Sequence, residues 1–262
     1  MVVSFWQLGW AHFASEPAVL DWVTYARPAA RAAVDDPALA HWQQCENTWF
    51  VGVDALGNDQ AGRIGGSGPL AGRAVDFIGD QLGAIPAWHR GQVSVMYPGY
   101  PRPRDGESAA ATRYRVNRDA AHVDGILAEG PARRRFVREP HAFVLGIGLT
   151  SASADASPLV VWDGSHLIMQ GAFRAAFAGI ASDQMGRVDV TEIYQRARRQ
   201  VFETCTRRTL PVAPGEATLL HRFTLHGVAP WGPQATAAPD GRMIAYFRPE
   251  LGGGIASWVG SR

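Results

Sequence analysis

The chain has 262 residues, of which 47% are hydrophobic and 19% are charged, and its formal net charge at pH 7 is +1. This composition predicts a folded globular protein and excludes the low hydrophobicity and high charge of disordered chains. Because the net charge is small and no long run carries one sign, we expect a small-molecule partner rather than nucleic acid or a membrane surface.

The basic residues exclude several enzyme classes. All 25 of them are arginine, and the chain contains no lysine. A Schiff-base enzyme, a Walker-type nucleotide-binding loop and a protein kinase each require a lysine. The glycine-rich stretch over 62–72 is therefore predicted to be a loop. The two cysteines, Cys45 and Cys205, lie far apart in the sequence and are predicted to be free thiols.

No targeting or membrane-spanning segment is visible in the sequence. The N-terminus lacks the basic start and apolar run of a secretion signal, and no later stretch of about 18 residues is uninterruptedly apolar. We therefore expect a cytoplasmic protein. The length of the chain predicts a single domain over residues 1–262.

Residues 1–92 are predicted to form a mostly helical flank packed on the main fold. Alanine-rich helices, interrupted at Pro28 and Pro37, are predicted within residues 16–43. The other elements predicted in this flank are a strand over 48–53 and a helix over 71–83.

The part of the chain over 93–250 changes to short β-type runs separated by turn residues. Strands are predicted over 93–97, 142–150, 158–162, 217–223 and 242–247. One helical insert near 186–206 interrupts them, and its apolar face is predicted to pack on the outside of the sheet. Many short strands between turn signals predict a sandwich, barrel or jelly roll, so the expected fold class is mainly β with flanking helices.

A His-x-Asp sequence at His122 and Asp124 is the first candidate metal site. If this stretch is a strand, residues two apart point to the same face, so both side chains can reach one ion. An imidazole, a carboxylate and a second imidazole form the facial triad that binds iron(II) and leaves coordination positions open. A His-x-Asp sequence also arises often by chance, so the residues that follow it decide the interpretation.

Those residues include a histidine on one predicted strand and an arginine on the next. A strand is predicted to run from residue 215 through His221 to His226, and Arg242 opens the following strand. A keto acid that chelates iron through its keto oxygen and one carboxylate leaves a second carboxylate to be bound. Arginine binds a carboxylate in a bidentate geometry that lysine cannot match. The pattern is therefore typical of an iron enzyme with a keto-acid co-substrate.

Four elements follow one another between residues 93 and 248. They are His122-Val123-Asp124, the strand LGIGLT leading to LVVWDGSH, the stretch GEATLLHRFTLHG, and Arg242. In this order they resemble the phytanoyl-CoA dioxygenase family of iron(II)/2-oxoglutarate oxygenases. The resemblance implies a double-stranded β-helix (a cupin-like jelly roll), iron(II) bound by His122, Asp124 and His226, and 2-oxoglutarate anchored by Arg242. It also implies O2 as co-substrate and hydroxylation of a small molecule, with release of succinate and CO2.

Several of these assignments have a competitor. His221 competes with His226 as the distal ligand, but residues five apart on an extended strand point to opposite faces, and we favour His226. His166, in the GSH of the second element, is predicted to be a structural residue. Arg248 shares strand parity with Arg242, but its place at the far end of the strand favours a structural ion pair.

Substrate contacts are predicted at Tyr97, Tyr114 and Arg135, although aromatic residues near strands also serve in packing. Arg135 belongs to a basic cluster over 133–138 that either recognises an anionic substrate or is a solvated loop. Two other functions stay open: a cupin-type metal enzyme without a keto acid, and a non-catalytic binding protein on the same jelly roll. The chain has no Gly-x-Ser-x-Gly elbow, which argues against a serine hydrolase.

Overall fold

The computed structural model describes residues 2–83 and 87–260. The α-helices are α1 (Val2–Leu8), α2 (Pro17–Asp35), α3 (Arg73–Leu82), α4 (Ala109–Asn117), α5 (Ser165–Phe177), α6 (Thr191–Thr204) and α7 (Gly254–Gly260), and short 3-10 helices lie at Pro37–Trp42 and Met185–Arg187. The strands are β1 (Trp10–Phe13), β2 (Gln43–Gln44), β3 (Trp49–Gly52), β4 (Gln92–Met96), β5 (Ile126–Glu129), β6 (Arg134–Val137), β7 (Phe143–Gly148), β8 (Leu159–Trp162), β9 (Arg207–Leu210), β10 (Ala217–His221), β11 (His226–Val228) and β12 (Arg242–Phe247). Among the described helices, none has the length and apolar character needed to cross a membrane.

The strands form two antiparallel sheets that face each other, and a separate hairpin. The larger sheet has the strand order β1-β10-β7-β12-β4-β3-β2, the smaller sheet has the order β11-β8-β9, and β5 pairs with β6. Val144 and Leu220 of the larger sheet pack against Leu159, Val161 and Leu210 of the smaller sheet. This arrangement confirms the predicted fold class of a mainly β protein with flanking helices.

Helices cover the outer faces of both sheets. One apolar core joins α2 and α3 to the larger sheet and includes Trp22, Phe77 and Phe247. A second core joins α5, α6 and α7 to the smaller sheet and includes Phe173 and Trp258. The space between the sheets is therefore lined by the strand faces that these two cores do not use.

The alternation of β12, continued by one residue to Arg248, places Arg242 and Arg248 between the sheets. Met243 and Phe247 belong to the outer core under the N-terminal helices. Because successive side chains of a strand point to opposite faces, Arg242, Tyr246 and Arg248 point toward the smaller sheet. Tyr246 packs against the apolar cluster between the two sheets, in agreement with this alternation.

The single strand predicted through His221 and His226 is wrong. β10 ends at His221, β11 begins at His226, and the chain crosses from the larger sheet to the smaller one between them. Thr224 fixes this crossing, because its hydroxyl donates to the carbonyl of Gly9 at 2.6 Å and its N–H donates to the carbonyl of His221 at 2.8 Å. The two histidines are thus separated by a change of sheet rather than by strand alternation.

The N-terminal part departs from its prediction in two ways. Helix α2 continues through Pro28, where an interruption was predicted. Proline leaves the carbonyl four residues earlier without a partner, but here that carbonyl belongs to the exposed Thr24, where water can bond it. The same part of the chain also supplies β1, β2 and β3 to the larger sheet. The alternating burial of β1 and β3 fits strands that are covered on one face only.

His166 and His221 form a buried pair under the N-terminal helix. Their rings lie 4.9 Å apart, and burial lowers the pKa of both imidazoles. His166 lies in the first turn of α5, and its Nε2 contacts the carbonyl oxygen of Trp6 at 3.1 Å. This contact agrees with a structural role for His166 rather than with a metal or substrate contact. Both rings are therefore neutral at neutral pH in the folded protein.

We expect the metal-free protein to lose stability as the pH falls from 7.5 to 5.5. The unfolded chain takes up protons on His166 and His221 near pH 6.5, whereas the folded protein resists this uptake because the folded pKa values are lowered. Each histidine contributes at most about 1.4 kcal/mol per pH unit. Denaturant unfolding of His166→Gln should show a smaller pH dependence than that of the exposed control His41→Gln. An equal dependence in both variants would contradict the assignment.

Candidate metal centre

A short antiparallel bridge brings the two candidate histidine ligands together. The N–H of His122 donates to the carbonyl of His226 at 2.8 Å, and the N–H of His226 donates to the carbonyl of His122 at 3.0 Å. His226 is the first residue of β11, while Asp124 lies in the turn that follows the bridge. The His-x-Asp stretch is thus a bridge residue followed by a turn, and not the regular strand that was predicted.

The loop before His122 has a left-handed backbone. Asp119 and Ala120 have φ angles of 54° and 53°, a conformation that non-glycine residues adopt only when their surroundings impose it. Arg207 of β9 binds the Asp119 carboxylate with two hydrogen bonds of 2.7 and 2.8 Å. Gly227 allows the loop to lie directly on β11, because a Cβ atom there would lie 2.0 Å from the carbonyl oxygen of Asp119. These contacts hold the loop against β11.

The side chains of His122, Asp124 and His226 converge on one point. Their potential ligand atoms all lie within 4.8 Å of one another. Oδ1 of Asp124 lies 3.1 Å from Nε2 of His122 and 3.7 Å from Nε2 of His226. In the part of the chain that the structure describes, this is the only such group of histidine, cysteine and acidic side chains.

Hydrogen bonds at the far side of each ring orient the histidines. Nδ1 of His122 lies 3.0 Å from the carbonyl oxygen of Ala120, and Nδ1 of His226 lies 2.9 Å from the carbonyl oxygen of Thr224. In each case the carbonyl fixes the proton on Nδ1, which leaves the lone pair of Nε2 directed at the common point. Both imidazoles are therefore arranged as metal ligands.

The charges of the site favour a cation at that point. Burial lowers the pKa of His226 to about 4, so this ring is neutral at neutral pH. Burial alone would raise the pKa of Asp124, but the neighbouring rings of His226 and His122 and the guanidinium of Arg248 outweigh it and hold the pKa well below its usual value. A neutral imidazole and an ionised carboxylate are the protonation states that a metal ion requires.

A cavity of about 240 Å³ opens beside the three side chains. Apart from these three, its lining residues are Trp49, Val51, Val53, Gln92, Ser94, Val144, Leu159, Gly227, Val228, Tyr246 and Arg248. The cavity thus lies between the two sheets, with mostly apolar walls. The donor set of two imidazoles and one carboxylate on one side of a cavity fits a divalent metal that keeps open positions.

The structure places Arg242 and Arg248 in different surroundings. Arg248 lines the cavity: its Nη1 lies 3.5 Å from Oδ2 of Asp124, and its Nη2 donates to Oε1 of Gln92 at 2.7 Å. Arg242 is 4% exposed at the start of the same strand and is not among the residues that line the cavity. The sequence signal for an inward-facing Arg248 was its strand parity: it lies an even number of residues after Arg242.

The three predicted substrate contacts lie outside the cavity lining. Tyr97 packs against the outer core of the larger sheet. The hydroxyl of Tyr114 donates to the carbonyl of Ala121, and the guanidinium of Arg135 lies 5.2 Å from the ring centroid of Tyr194. In the basic cluster, Arg134 pairs with Asp189 at 2.6 Å, and Arg138 pairs with Glu129. These arginines are engaged in intramolecular contacts.

Sequence reasoning missed several residues of the cavity wall. Trp49 and Val51 come from a predicted strand in the N-terminal flank, and Gln92 precedes the first predicted core strand. The residue pattern predicted the strand over 48–53, but it did not indicate which face of that strand points toward the site. That face is set by pairing β3 with β4, a contact between distant segments.

Comparison with known proteins identifies the fold. No family model matches the chain, and no curated protein matches it either. SnoK, a non-heme α-ketoglutarate-dependent carbocyclase from nogalamycin biosynthesis, has a TM-score of 0.54 and 14% sequence identity, over 95% of this chain and 82% of SnoK. The epimerase SnoN from the same biosynthesis has a TM-score of 0.49 and 14% identity, over 98% and 86% of the two chains. EctD from S. alaskensis, crystallised with Fe, has a TM-score of 0.48 and 15% identity, over 94% and 75%. The chain thus shares the fold of SnoK.

We expect the protein to bind one divalent metal ion at this centre. In an anaerobic titration with Fe(II), Asp124→Asn should lower the affinity by more than about 100-fold, because loss of even an outer partner of a metal ligand costs about 10- to 100-fold. The ion should also raise the melting temperature of the wild type, since it binds only the folded state. The exposed control His41→Ala should behave as the wild type. Equal binding by Asp124→Asn would rule out this centre.

Proposed function

We propose that the protein is an iron(II)- and 2-oxoglutarate-dependent dioxygenase of the phytanoyl-CoA dioxygenase-like kind, which hydroxylates a small molecule with release of succinate and CO2. The observation that carries the proposal is the convergence of His122, Asp124 and His226 at the wall of a cavity, with their ligand atoms within 4.8 Å. This donor set is the facial triad of non-haem iron(II) oxygenases.

The arrangement of the sheets supports the same proposal. The two facing antiparallel sheets, with one histidine ligand on a strand of the smaller sheet, are consistent with a double-stranded β-helix. SnoK, whose fold the chain shares, is α-ketoglutarate-dependent. We assign the chain to a single domain over 1–262, in which 93–250 form the double-stranded β-helix and 1–92 form its flank.

Arg242 supports the binding of a dicarboxylate co-substrate. Its guanidinium is buried between the sheets, and Nη1 has no hydrogen-bond partner. The ion pairs of the described residues do not include Arg242. A buried charge without a counter-charge is costly, so an anionic ligand beside it would be strongly favoured. We assign the distal carboxylate of 2-oxoglutarate to Arg242.

Arg248 supplies a second positive charge at the metal end of the cavity. It lies six residues after Arg242, just beyond the end of β12, which corresponds to about 20 Å between the two Cα atoms of an extended chain. Arg248 also keeps Asp124 ionised in a buried place. We assign Arg248 to the metal end and Arg242 to the far end.

The size and lining of the cavity favour a small substrate. At about 240 Å³, it lies below the range of roughly 300 to 1,000 Å³ that is typical of small-molecule sites. Most of its wall is apolar, as at Val51, Val144 and Leu159, with the polar groups of Gln92 and Ser94 between them. Such walls exclude water and pack against a carbon skeleton.

Each residue of the centre has a defined part in the proposed reaction. When bound, iron(II) and 2-oxoglutarate supply, with O2, the oxidising power that breaks a C–H bond of the substrate. His122, Asp124 and His226 would hold the ion at the wall of the cavity, and three protein ligands would leave coordination positions for the co-substrate. Arg242 would orient the co-substrate, Arg248 keeps Asp124 ionised, and the apolar wall would hold the carbon skeleton of the substrate.

We expect the iron(II)-loaded protein to bind 2-oxoglutarate with a weak visible charge-transfer band in an anaerobic titration. His122→Ala should abolish the band. Arg242→Ala should weaken 2-oxoglutarate binding by at least about tenfold, because it removes a charge-assisted bidentate contact. Arg31→Ala, which removes a partly exposed arginine paired with Asp35 and Asp240, is the matched control and should not change the titration.

The outcomes separate the competing functions. A band in the wild type, weakened in Arg242→Ala but not in Arg31→Ala, supports the oxygenase and justifies a substrate screen that follows succinate release. Stoichiometric iron without a band would favour a cupin-type metal enzyme that uses no keto acid. A wild type that binds no iron would contradict the catalytic proposal and leave a binding protein on the same fold.

A further inference from the structure

His122 is the least enclosed of the three proposed ligands. Its side chain is 49% exposed, whereas those of Asp124 and His226 are 10% and 11% exposed. An exposed side chain keeps its rotational freedom unless its backbone and ring are held in place, and a loosely held ligand lowers metal affinity. The groups that hold the backbone at His122 are therefore important for the centre.

Two tyrosine hydroxyls hold the main chain immediately before and after His122. The hydroxyl of Tyr114 donates to the carbonyl of Ala121 at 2.8 Å. The N–H of Val123 donates to the hydroxyl of Tyr194 at 3.2 Å. Together with the bridge to His226, these bonds fix the peptide groups on both sides of the ligand.

The tyrosines themselves are rigidly held. Tyr114 comes from α4 and Tyr194 from α6, and Tyr194 is fully buried. The guanidinium of Arg198 lies 4.6 Å from the ring centroid of Tyr114 and 5.3 Å from that of Tyr194, so one cation contacts both rings. Burial raises the pKa of Tyr114, which keeps its hydroxyl protonated and able to donate.

The loop needs such support because two of its residues before His122 have a strained backbone. The left-handed Asp119 and Ala120 persist only if nearby contacts outweigh the cost of their conformation, about 1 to 3 kcal/mol each. Arg207 holds the loop at Asp119. The two tyrosines hold it at Ala121 and Val123, which are the positions next to the ligand.

We propose that Tyr114 and Tyr194, locked together by Arg198, are positioning residues that fix the orientation of His122 in the metal centre. This inference rests on the proposed function, because it assumes that His122 is a metal ligand. In this role Tyr114 acts on the main chain next to His122 and not on the substrate.

The test uses Tyr114→Phe and Tyr194→Phe, which remove one hydroxyl each and keep the rings under Arg198. The control is Tyr25→Phe, on a residue that is 39% exposed on α2. Hydrogen exchange of residues 121–124 is measured on the metal-free protein, and Co(II) is titrated as a spectroscopic probe of ligand geometry. We expect faster exchange, about tenfold weaker Co(II) binding and an altered visible Co(II) spectrum in both variants, but not in the control.

Each result decides one question. If the wild type binds Co(II) and both variants bind it with the same affinity and spectrum, the positioning role is overturned, even if the variants melt at a lower temperature. Faster exchange without any change in Co(II) binding would likewise overturn the proposal, because the tyrosines would then stabilise the loop without positioning His122. If the wild type itself binds no Co(II), the proposed function fails, and the positioning role fails with it.

Discussion

The pair of backbone hydrogen bonds between His122 and His226 is the interaction on which the rest of the centre depends. It joins a loop that follows α4 to the first residue of β11, two segments that are far apart in the sequence. Once the two main chains are joined, both rings lie on the same side, with their centroids 4.6 Å apart. Asp124 then needs only the turn after His122 to reach both imidazoles. Main-chain pairing thus brings the two rings together, and the contacts of each Nδ1 with a backbone carbonyl set how each ring is turned.

The strain of the loop before His122 shows how this pairing is maintained. A left-handed Asp119 and Ala120 would relax if the loop were free, but Arg207 holds the carboxylate of Asp119, and its carbonyl accepts the N–H of Val228 at 2.9 Å. Strain of this kind persists where the surroundings over-determine a conformation, as they do at many functional sites. The contacts of the loop thus hold the proposed ligands in position before any ion binds, and this lowers the entropic cost of binding.

The sequence predicts the strands well where alternation and turn residues agree. The predicted strand over 242–247 coincides with β12, and the predicted helix near 186–206 contains α6. It fails where distant contacts decide the local structure, as at the change of sheet between His221 and His226, which depends on Gly9 and Thr224. The three proposed metal ligands follow from residue types and order. The wall of the cavity does not, because pairing of β3 with β4 determines which side chains face inward.

The absence of lysine affects the electrostatics of the site, because every basic side chain is an arginine. The interior charges at the two ends of β12 are both guanidinium groups, Arg242 in the strand and Arg248 just after it, and a guanidinium stays protonated even when it is buried. A lysine in either place would lose its charge on burial, and with it the attraction for a carboxylate. Two permanent charges therefore lie on one face of this segment: Arg248 beside Asp124 at the cavity, and Arg242 buried outside the cavity lining. If Arg242 binds a carboxylate, as we propose, its attraction for that group does not change with pH across the neutral range.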